Sequence, residues 1–202
     1  MSQKLTKKQQ TRKRMLDAAG QSFRSNGYTG IGVDGIAKAA GVTSGAFYAH
    51  FGSKDGAFRA ALSAGLDEVI AAVPAFQREY GAKWVEEFAR YYLGKPHRDD
   101  LACGCAMTGL TPDVVRSEPE VQEIYEQKMT EIAGLIAAGL AQGSDADRLG
   151  RAWSLLGVLI GGLSVARAMG EAEITESIAA AVISTAVGAA GSTKGVSVTS
   201  TE

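Results

Sequence analysis

Apolar residues recur at helical spacing along most of the chain. In residues 7–26 one face carries the small and apolar side chains Met15, Ala18, Ala19, Ser22 and Phe23. These positions lie three, four, seven and eight residues apart, which is the pattern of one side of a helix. Asn26 and Gly27 predict the end of this helix, because glycine readily adopts the left-handed conformation of a C-terminal cap. Sustained alternation of apolar and polar positions does not occur in the sequence, which therefore predicts an all-α fold.

Two shorter helical segments follow, at about residues 33–40 and 44–50, and the turn Gly41-Val42-Thr43 joins them. Two short helices linked by a three-residue turn that contains glycine are the signature of a helix-turn-helix. Thr43 is predicted to cap the second of these helices, and its hydroxyl suits a phosphate. Ser53 is a good cap for a further helix, which is predicted to continue until Pro74.

The rest of the sequence predicts five more helices, at about 82–94, 103–110, 118–141, 145–169 and 171–189. We divide the chain into a helix-turn-helix domain of three helices at 1–54, called the head, and a helical bundle at 55–190. The turn-rich tail 191–202 is predicted to be disordered. Glycines, serines and Arg167 interrupt the apolar stretch 153–168, so it is predicted to be a buried helix with no role in a membrane.

Charge is distributed unevenly, although the net charge is −1. The first 60 residues contain ten Lys and Arg against three Asp, a net +7, so the remainder carries −8. A basic segment on an acidic chain indicates a polyanionic partner for that segment alone. The polar N-terminus has no apolar signal core and two cysteines do not make a disulfide framework, so a cytoplasmic location is expected.

The stretch Gly32 to Lys54, GVDGIAKAAGVTSGAFYAHFGSK, resembles the DNA-binding motif of TetR-family repressors. The resemblance implies a homodimer that binds a pseudo-palindromic double-stranded DNA operator and is released by a small-molecule effector. The residues predicted to contact DNA are Gly32, Thr43, Ser44, Gly45, Tyr48, His50 and Lys54, with Lys8 and Arg12 from the basic arm Lys4 to Arg14. For the basic arm the alternative is a disordered, solubilising start.

Small side chains at Ser44, Gly45 and Ala46 would let a short helix lie close to base edges in the major groove. Tyr48 is interpreted as a phosphate contact, whereas His50 could equally have a packing role. The sequence departs from the family at Gly32, where a hydroxyl residue usually caps the second helix. A glycine cap costs only a few tenths of a kcal/mol, and the phosphate contact would then come from backbone N–H groups.

The C-terminal half is expected to pair two subunits and to enclose an effector pocket, again by resemblance. The predicted dimer interface is Leu156, Gly157, Ile160, Gly161, Ile178 and Val182; the alternative is that the glycines serve a helix crossing within one chain. The candidate pocket residues are Trp84, Phe88, Tyr91, Tyr92, Cys105, Met107 and Trp153, although aromatic residues at helical spacing are usually ordinary core.

Cys103-Gly104-Cys105 permits three interpretations. A disulfide between residues two apart is strained, and a metal site would need more ligands than His97 offers. A thiol sensor fits better, because the start of a helix, with His97 and Arg98 nearby, would favour the thiolate. Some related repressors carry a Gly-Cys pair at a similar place, where a reactive electrophile can be the signal. The alternative is a small buried thiol that packs as an apolar side chain.

Two other classes of protein are disfavoured. The sequence has no phosphate-binding glycine loop after a strand and no Ser/His/Asp arrangement, so we expect neither an enzyme nor a cofactor or metal site. A nonspecific architectural DNA-binding protein would be basic throughout, whereas the chain beyond residue 60 is acidic.

Overall fold

The structure is a computed structural model and describes residues 6–191. No strand occurs within these residues, so the predicted all-α class is confirmed. The helices are α1 (Lys7–Asn26), α2 (Val33–Ala39), α3 (Ser44–Phe51), α4 (Lys54–Tyr80), α5 (Trp84–Tyr92), α6 (Lys95–Asp99), α7 (Ala106–Gly109), α8 (Thr111–Val114), α9 (Pro119–Gly139), α10 (Asp145–Ala168) and α11 (Ala172–Gly191). A single 3-10 turn, Gly81–Lys83, precedes α5. Lys4 and the predicted tail beyond Gly191 lie outside the described residues.

The chain divides into two compact units, which we describe separately. The first unit comprises Met1–Val69 and Lys95–Met129, and the second comprises Ile70–Gly94 and Thr130–Glu202. The first unit therefore contains the whole head together with part of the predicted bundle. The prediction that 1–54 acts as a separate DNA-binding domain remains a prediction.

The first unit is built around the buried face of α1. Thr6 and Gln9 form a capping box at its start, in which the Thr6 hydroxyl accepts from the Gln9 N–H and the Gln9 amide oxygen accepts from the Thr6 N–H at 2.8 Å. Met15 and Ala18 pack with Ala40, Val42 and Phe51. On the same side of the helix, the Phe23 ring contacts Phe58 edge-on, with centroids 5.2 Å apart. These contacts hold α2, α3 and the start of α4 against α1.

Helix α4 does not end at Pro74, and the prediction that it does was wrong. It continues to Tyr80 with Pro74 inside it. Proline removes one helical hydrogen bond and crowds the preceding turn, at a cost of about 3 kcal/mol. Val69 and Val73 are buried before Pro74, and after it the half-buried Phe76 contacts Phe88 edge-on, with ring centroids 5.4 Å apart. We attribute the continuity of the helix to this apolar packing.

The other three prolines open helices. Pro96 and Pro112 occupy the second positions of α6 and α8, and Pro119 is the first residue of α9. A proline costs little there because the first N–H groups of a helix have no partner within it.

The prediction of one helix at 103–110 was wrong in extent, since the segment folds as a turn followed by the single helical turn α7.

In the second unit, α10 and α11 pack closely. A Cβ added to Gly162 would lie 2.5 Å from a methyl group of Val182, so this glycine permits the crossing of the two helices. The buried Arg151 of α10 pairs with Asp147 at 3.0 Å and donates to the carbonyls of Ala141, Gln142 and Ala190. One guanidinium therefore ties the loop after α9 and the end of α11 to α10.

Helices α10 and α11 are long and apolar enough, by length and composition, to cross a membrane; the mean hydropathy of their most apolar windows is 1.5 and 1.4. This is weak evidence, because a core helix of a globular protein passes the same test. Within the chain 39% of the window is buried in α10 and 11% in α11. Most of the apolar surface of α11 is thus left uncovered by its own chain.

Candidate nucleic-acid interface

The turn between α2 and α3 has the geometry of a helix-turn-helix. Gly41 has φ +67°, a left-handed conformation that favours glycine, and its N–H donates to the Lys38 carbonyl at 3.1 Å. The Val42 N–H donates to the Ala37 carbonyl at 3.0 Å. The Thr43 hydroxyl accepts from the N–H of Ala46 at 3.2 Å and so caps α3, as predicted.

Helix α3 has one buried and one exposed face. Phe47 is fully buried, whereas the Tyr48 side chain is 52% exposed and Gly45 is also exposed. His50 is half-buried. The Ser44 hydroxyl, predicted to lie near base edges, donates to the Asp34 carboxylate of α2 at 2.5 Å. This bond orients the start of α3 relative to α2, a role for Asp34 that the sequence analysis missed.

Lys54 opens α4 beside the aromatic ring of Tyr28. Its Nζ lies 4.3 Å from the ring centroid, a cation–π contact. The Tyr28 hydroxyl donates to the Asp55 carboxylate at 2.5 Å. Burial, and then this hydrogen bond to Asp55, raise the pKa of Tyr28 to about 12. Tyr28 therefore holds the Lys54 amine in place. The sequence analysis had assigned no role to Tyr28.

The start of α1 adds positive charge next to α3. The Arg12 guanidinium carbon lies 6.0 Å from the centroid of the Phe51 ring, at the end of α3. Lys8, one turn earlier, is exposed. Lys8 and Arg12 therefore come from α1, which packs on the helix-turn-helix. Lys54 follows the helix-turn-helix in the chain.

Gly32 precedes α2 without a side-chain cap, with φ −94° and ψ 166°. No atom lies within 4 Å of the position that a Cβ would occupy. The extended backbone and the open space would accept a hydroxyl side chain, so the departure from the family's usual residue has no steric cause.

The loop 100–105, which contains both cysteines, is connected to α1 through Arg24. The Arg24 Nε donates to the Ala102 carbonyl at 2.7 Å, next to the exposed Cys103. A hydrogen bond with Asp100 and its negative charge raise the pKa of the Cys103 thiol. At Cys103, Asp100 therefore opposes the thiolate that a sensor would need, and the sensor role of the two cysteines remains a prediction. Cys105 is buried and immediately precedes α7.

The candidate pocket residues are distributed over both units. Cys105 and Met107 belong to the first unit, and the five aromatic candidates belong to the second. Trp84 donates from Nε1 to the Gly139 carbonyl at 3.0 Å and lines a cavity of about 590 Å³ within the second unit. The remaining four are distributed between core and surface: Phe88 and Tyr92 are buried, and Tyr91 and Trp153 are exposed. Residues 6–191 contain no group of three or more His, Cys, Asp or Glu placed to hold a metal ion.

The candidate dimer residues differ in how their own chain covers them. Leu156 is buried within its own chain, and Val182 packs on Gly162. Gly157 and Gly161 are exposed, with no atom within 4 Å of an added Cβ. The internal helix crossing therefore uses Gly162 and leaves the other two glycines on the surface.

Comparison with known proteins agrees with the helix-turn-helix and with the all-α fold. Residues 15–61 match the family model described as bacterial regulatory proteins, tetR family. Among solved structures, Salmonella enterica GusR is 25% identical, with a TM-score of 0.67 over 93% of this chain and 98% of that one. The reduced form of E. coli NemR is 19% identical, with a TM-score of 0.72 over 86% and 95%. No curated protein matches the sequence.

A TetR transcriptional regulator from Legionella pneumophila is 18% identical, with a TM-score of 0.74 over 91% of this chain and 99% of that one. The matched family model and the fold are those of bacterial transcription regulators. The head belongs to the TetR family of bacterial regulatory proteins, and the described chain has the fold of TetR-family transcriptional regulators.

Proposed function

We propose that this protein is a homodimeric transcriptional repressor of the cytoplasm that binds double-stranded DNA and is released from it by a small-molecule effector. Helix α3 of each copy enters a major groove of a pseudo-palindromic operator. The observation that carries the proposal is the exposed face of α3, where Gly45 and Tyr48 face outward and Lys54 and Arg12 supply positive charge at its far end.

The contacts divide into two kinds. Arg12, Lys54, Lys8 and the Tyr48 hydroxyl contact phosphates and position the protein, which gives affinity without sequence information. The Thr43 hydroxyl and the start of α3 lie nearest to base edges, together with the Gly45 backbone. Because side chains there are small, much of the specificity comes from DNA shape and methyl contacts.

Dimerisation through α10 and α11 is supported by their uncovered apolar surface. Trp153 is 42% exposed, and Gly157 and Gly161 lie along the same helix with room for another backbone to approach. In a two-fold dimer the two recognition helices must match successive major grooves, about 34–36 Å apart. An effector that favours a different spacing lowers DNA affinity by its differential affinity for the two states, and α4, which belongs to both units, is the proposed lever.

The test is fluorescence anisotropy of labelled DNA from the region upstream of the protein's own gene, titrated at several salt concentrations. Lys54→Ala should weaken binding to all sequences and reduce the slope of log K against log salt by about 1. Lys83→Ala, an exposed lysine of the second unit, is the control and should leave both unchanged. Absence of sequence-specific binding at every salt concentration would contradict the proposal.

A second candidate is a repressor gated by an electrophile at Cys105, with Cys103. The hydrogen bond from Arg24 to the Ala102 carbonyl favours it, because a change in this loop would act directly on α1. N-ethylmaleimide alkylates a thiol by addition across its double bond. Release from DNA by this reagent that is abolished in Cys105→Ser or Cys103→Ser would support this candidate, and release that persists in both variants would argue against it.

A further inference from the structure

The first unit contains a cleft of about 660 Å³ next to the helix-turn-helix. One wall comes from the turn after α1 and the start of α4, and the other comes from α8 and the start of α9. Its apolar floor is formed by the buried side chains of Phe58 and Val121, with the half-buried ring of Tyr28 beside them. This volume is that of a site for a small molecule, and none of the candidate effector residues lines it.

The charges around the cleft determine which ligand it suits. Four carboxylates line it, from Asp55, Asp113, Glu118 and Glu120, against the guanidiniums of Arg59 and Arg116. The Arg116 guanidinium donates to the Pro112 carbonyl at 2.8 Å, which directs part of its hydrogen-bonding capacity to the protein itself. An excess of negative charge over an aromatic and apolar floor favours an organic cation with apolar substituents.

The cleft is connected to a predicted DNA contact through Tyr28. The Tyr28 N–H donates to the Asp113 carboxylate at 2.9 Å, and its hydroxyl donates to Asp55. The same ring holds the Lys54 amine by a cation–π contact. A cation bound beside Tyr28 and Asp55 would repel this amine and compete with it for the ring.

We propose that this cleft binds a small organic cation and that its occupancy weakens DNA binding by displacing Lys54. The first part concerns ligand binding alone, whereas the second part rests on the proposed function. The family resemblance implied an effector without its chemical class or its site. The proposal assigns it the class of organic cations and a cleft within the first unit.

Isothermal titration calorimetry of the full chain with tetraphenylphosphonium and tetraphenylborate tests the first part, because these ions match in shape and differ in the sign of their charge. We expect the phosphonium to bind on the order of tenfold more tightly. The variant Glu118→Gln/Glu120→Gln should weaken phosphonium binding several-fold. The control Glu123→Gln/Glu126→Gln alters two exposed carboxylates of α9 outside the cleft and should leave it unchanged. Equal affinity for the two ions, or equal effects of the two double variants, would overturn the site.

Anisotropy with labelled DNA tests the second part, with and without phosphonium at about the dissociation constant that calorimetry gives for the wild type, where a weakened variant is less occupied. The cation should lower the DNA affinity of the wild type and of the control variant, with a smaller effect on Glu118→Gln/Glu120→Gln. Cation binding with unchanged DNA affinity would overturn the regulatory part. If charge-dependent cation binding occurs in a protein that binds no DNA at all, the site is supported and the proposed function is contradicted instead.

Discussion

At the scale of single residues, Gly32 and Gly41 have similar surroundings but different backbone conformations. An added Cβ would have no atom within 4 Å at either position. Gly32 has φ −94°, which any residue adopts, whereas Gly41 has φ +67°. The same substitution at the two positions therefore separates the effect of backbone conformation from the effect of space.

We predict that Gly32→Ser changes the free energy of unfolding by only a few tenths of a kcal/mol, in the stabilising direction, because a serine cap satisfies an N–H of α2. The added hydroxyl should also strengthen DNA binding. Gly41→Ser should cost about 1–2 kcal/mol, because a side chain disfavours the left-handed conformation. Urea denaturation measures both variants, and equal destabilisation by the two would contradict this assignment.

Because of Tyr28, the free energy of unfolding should depend on pH in the alkaline range. Its pKa is raised to about 12 in the folded chain, from about 10 in an unfolded one, so folding favours the protonated phenol. The resulting stabilisation is fully present below pH 10 and is lost as the pH rises towards 12. Unfolding midpoints measured across this range should fall more steeply for the wild type than for Tyr28→Phe. Parallel curves would show that Tyr28 is not the group responsible.

Features that depend on residues close in sequence were predicted better than contacts between residues far apart in the sequence. Gly41 and the Thr43 cap follow from local rules for turns and helix starts, and the structure contains both. The bond between Ser44 and Asp34 and the contact of Lys54 with Tyr28 join residues 10 and 26 positions apart. Both depend on how three helices pack, which periodicity does not specify.

At the scale of elements, prolines mark two places where the predicted helices differ from the structure. No helix was predicted between residues 94 and 103, yet Pro96 lies in the first turn of α6, where a missing N–H costs little. Pro74 was expected to end α4, but the burial of Val73 before it and the packing of Phe76 on Phe88 after it continue the helix. Tertiary packing thus decided the outcome at Pro74, whereas the position of Pro96 follows the local preference for proline in the first turn of a helix.

Arg151 is predicted to be the side chain that most strongly connects the ends of the last three helices. Arg151→Ala leaves three carbonyls and the Asp147 carboxylate without their buried donor, which should cost about 3–5 kcal/mol. Arg90→Ala removes an exposed pair with Glu86 on α5 and should leave the urea midpoint nearly unchanged. Similar midpoints for the two variants would show that the guanidinium of Arg151 contributes no more than a surface charge.

At the scale of the whole molecule, charge and apolar surface are separated along the chain. The first 60 residues carry a net +7 and the rest −8, so attraction to a polyanion is confined to the head. The exposed apolar side chains Trp153 and Val165 lie on α10, with Ile174 and Val187 on α11. Uncovered apolar area of this kind is typical of protein interfaces, and the same α10 surface carries two glycines with open space above them.

The prediction at this scale is that a bulky charge at Gly161 separates the two subunits. A Cβ added at the exposed Gly161 has no atom within 4 Å, and arginine replaces a residue that weakens a helix, so folding should be unaffected by Gly161→Arg. Gly134→Arg places the same side chain at an exposed, open position of α9 and is the matched control. Sedimentation velocity should show dimers for the wild type and for Gly134→Arg, and monomers for Gly161→Arg. DNA affinity should then fall for Gly161→Arg alone, because one subunit contacts only one half-site. A Gly161→Arg protein that remains dimeric would move the interface away from this face of α10, while leaving the DNA-binding surface of the head as described.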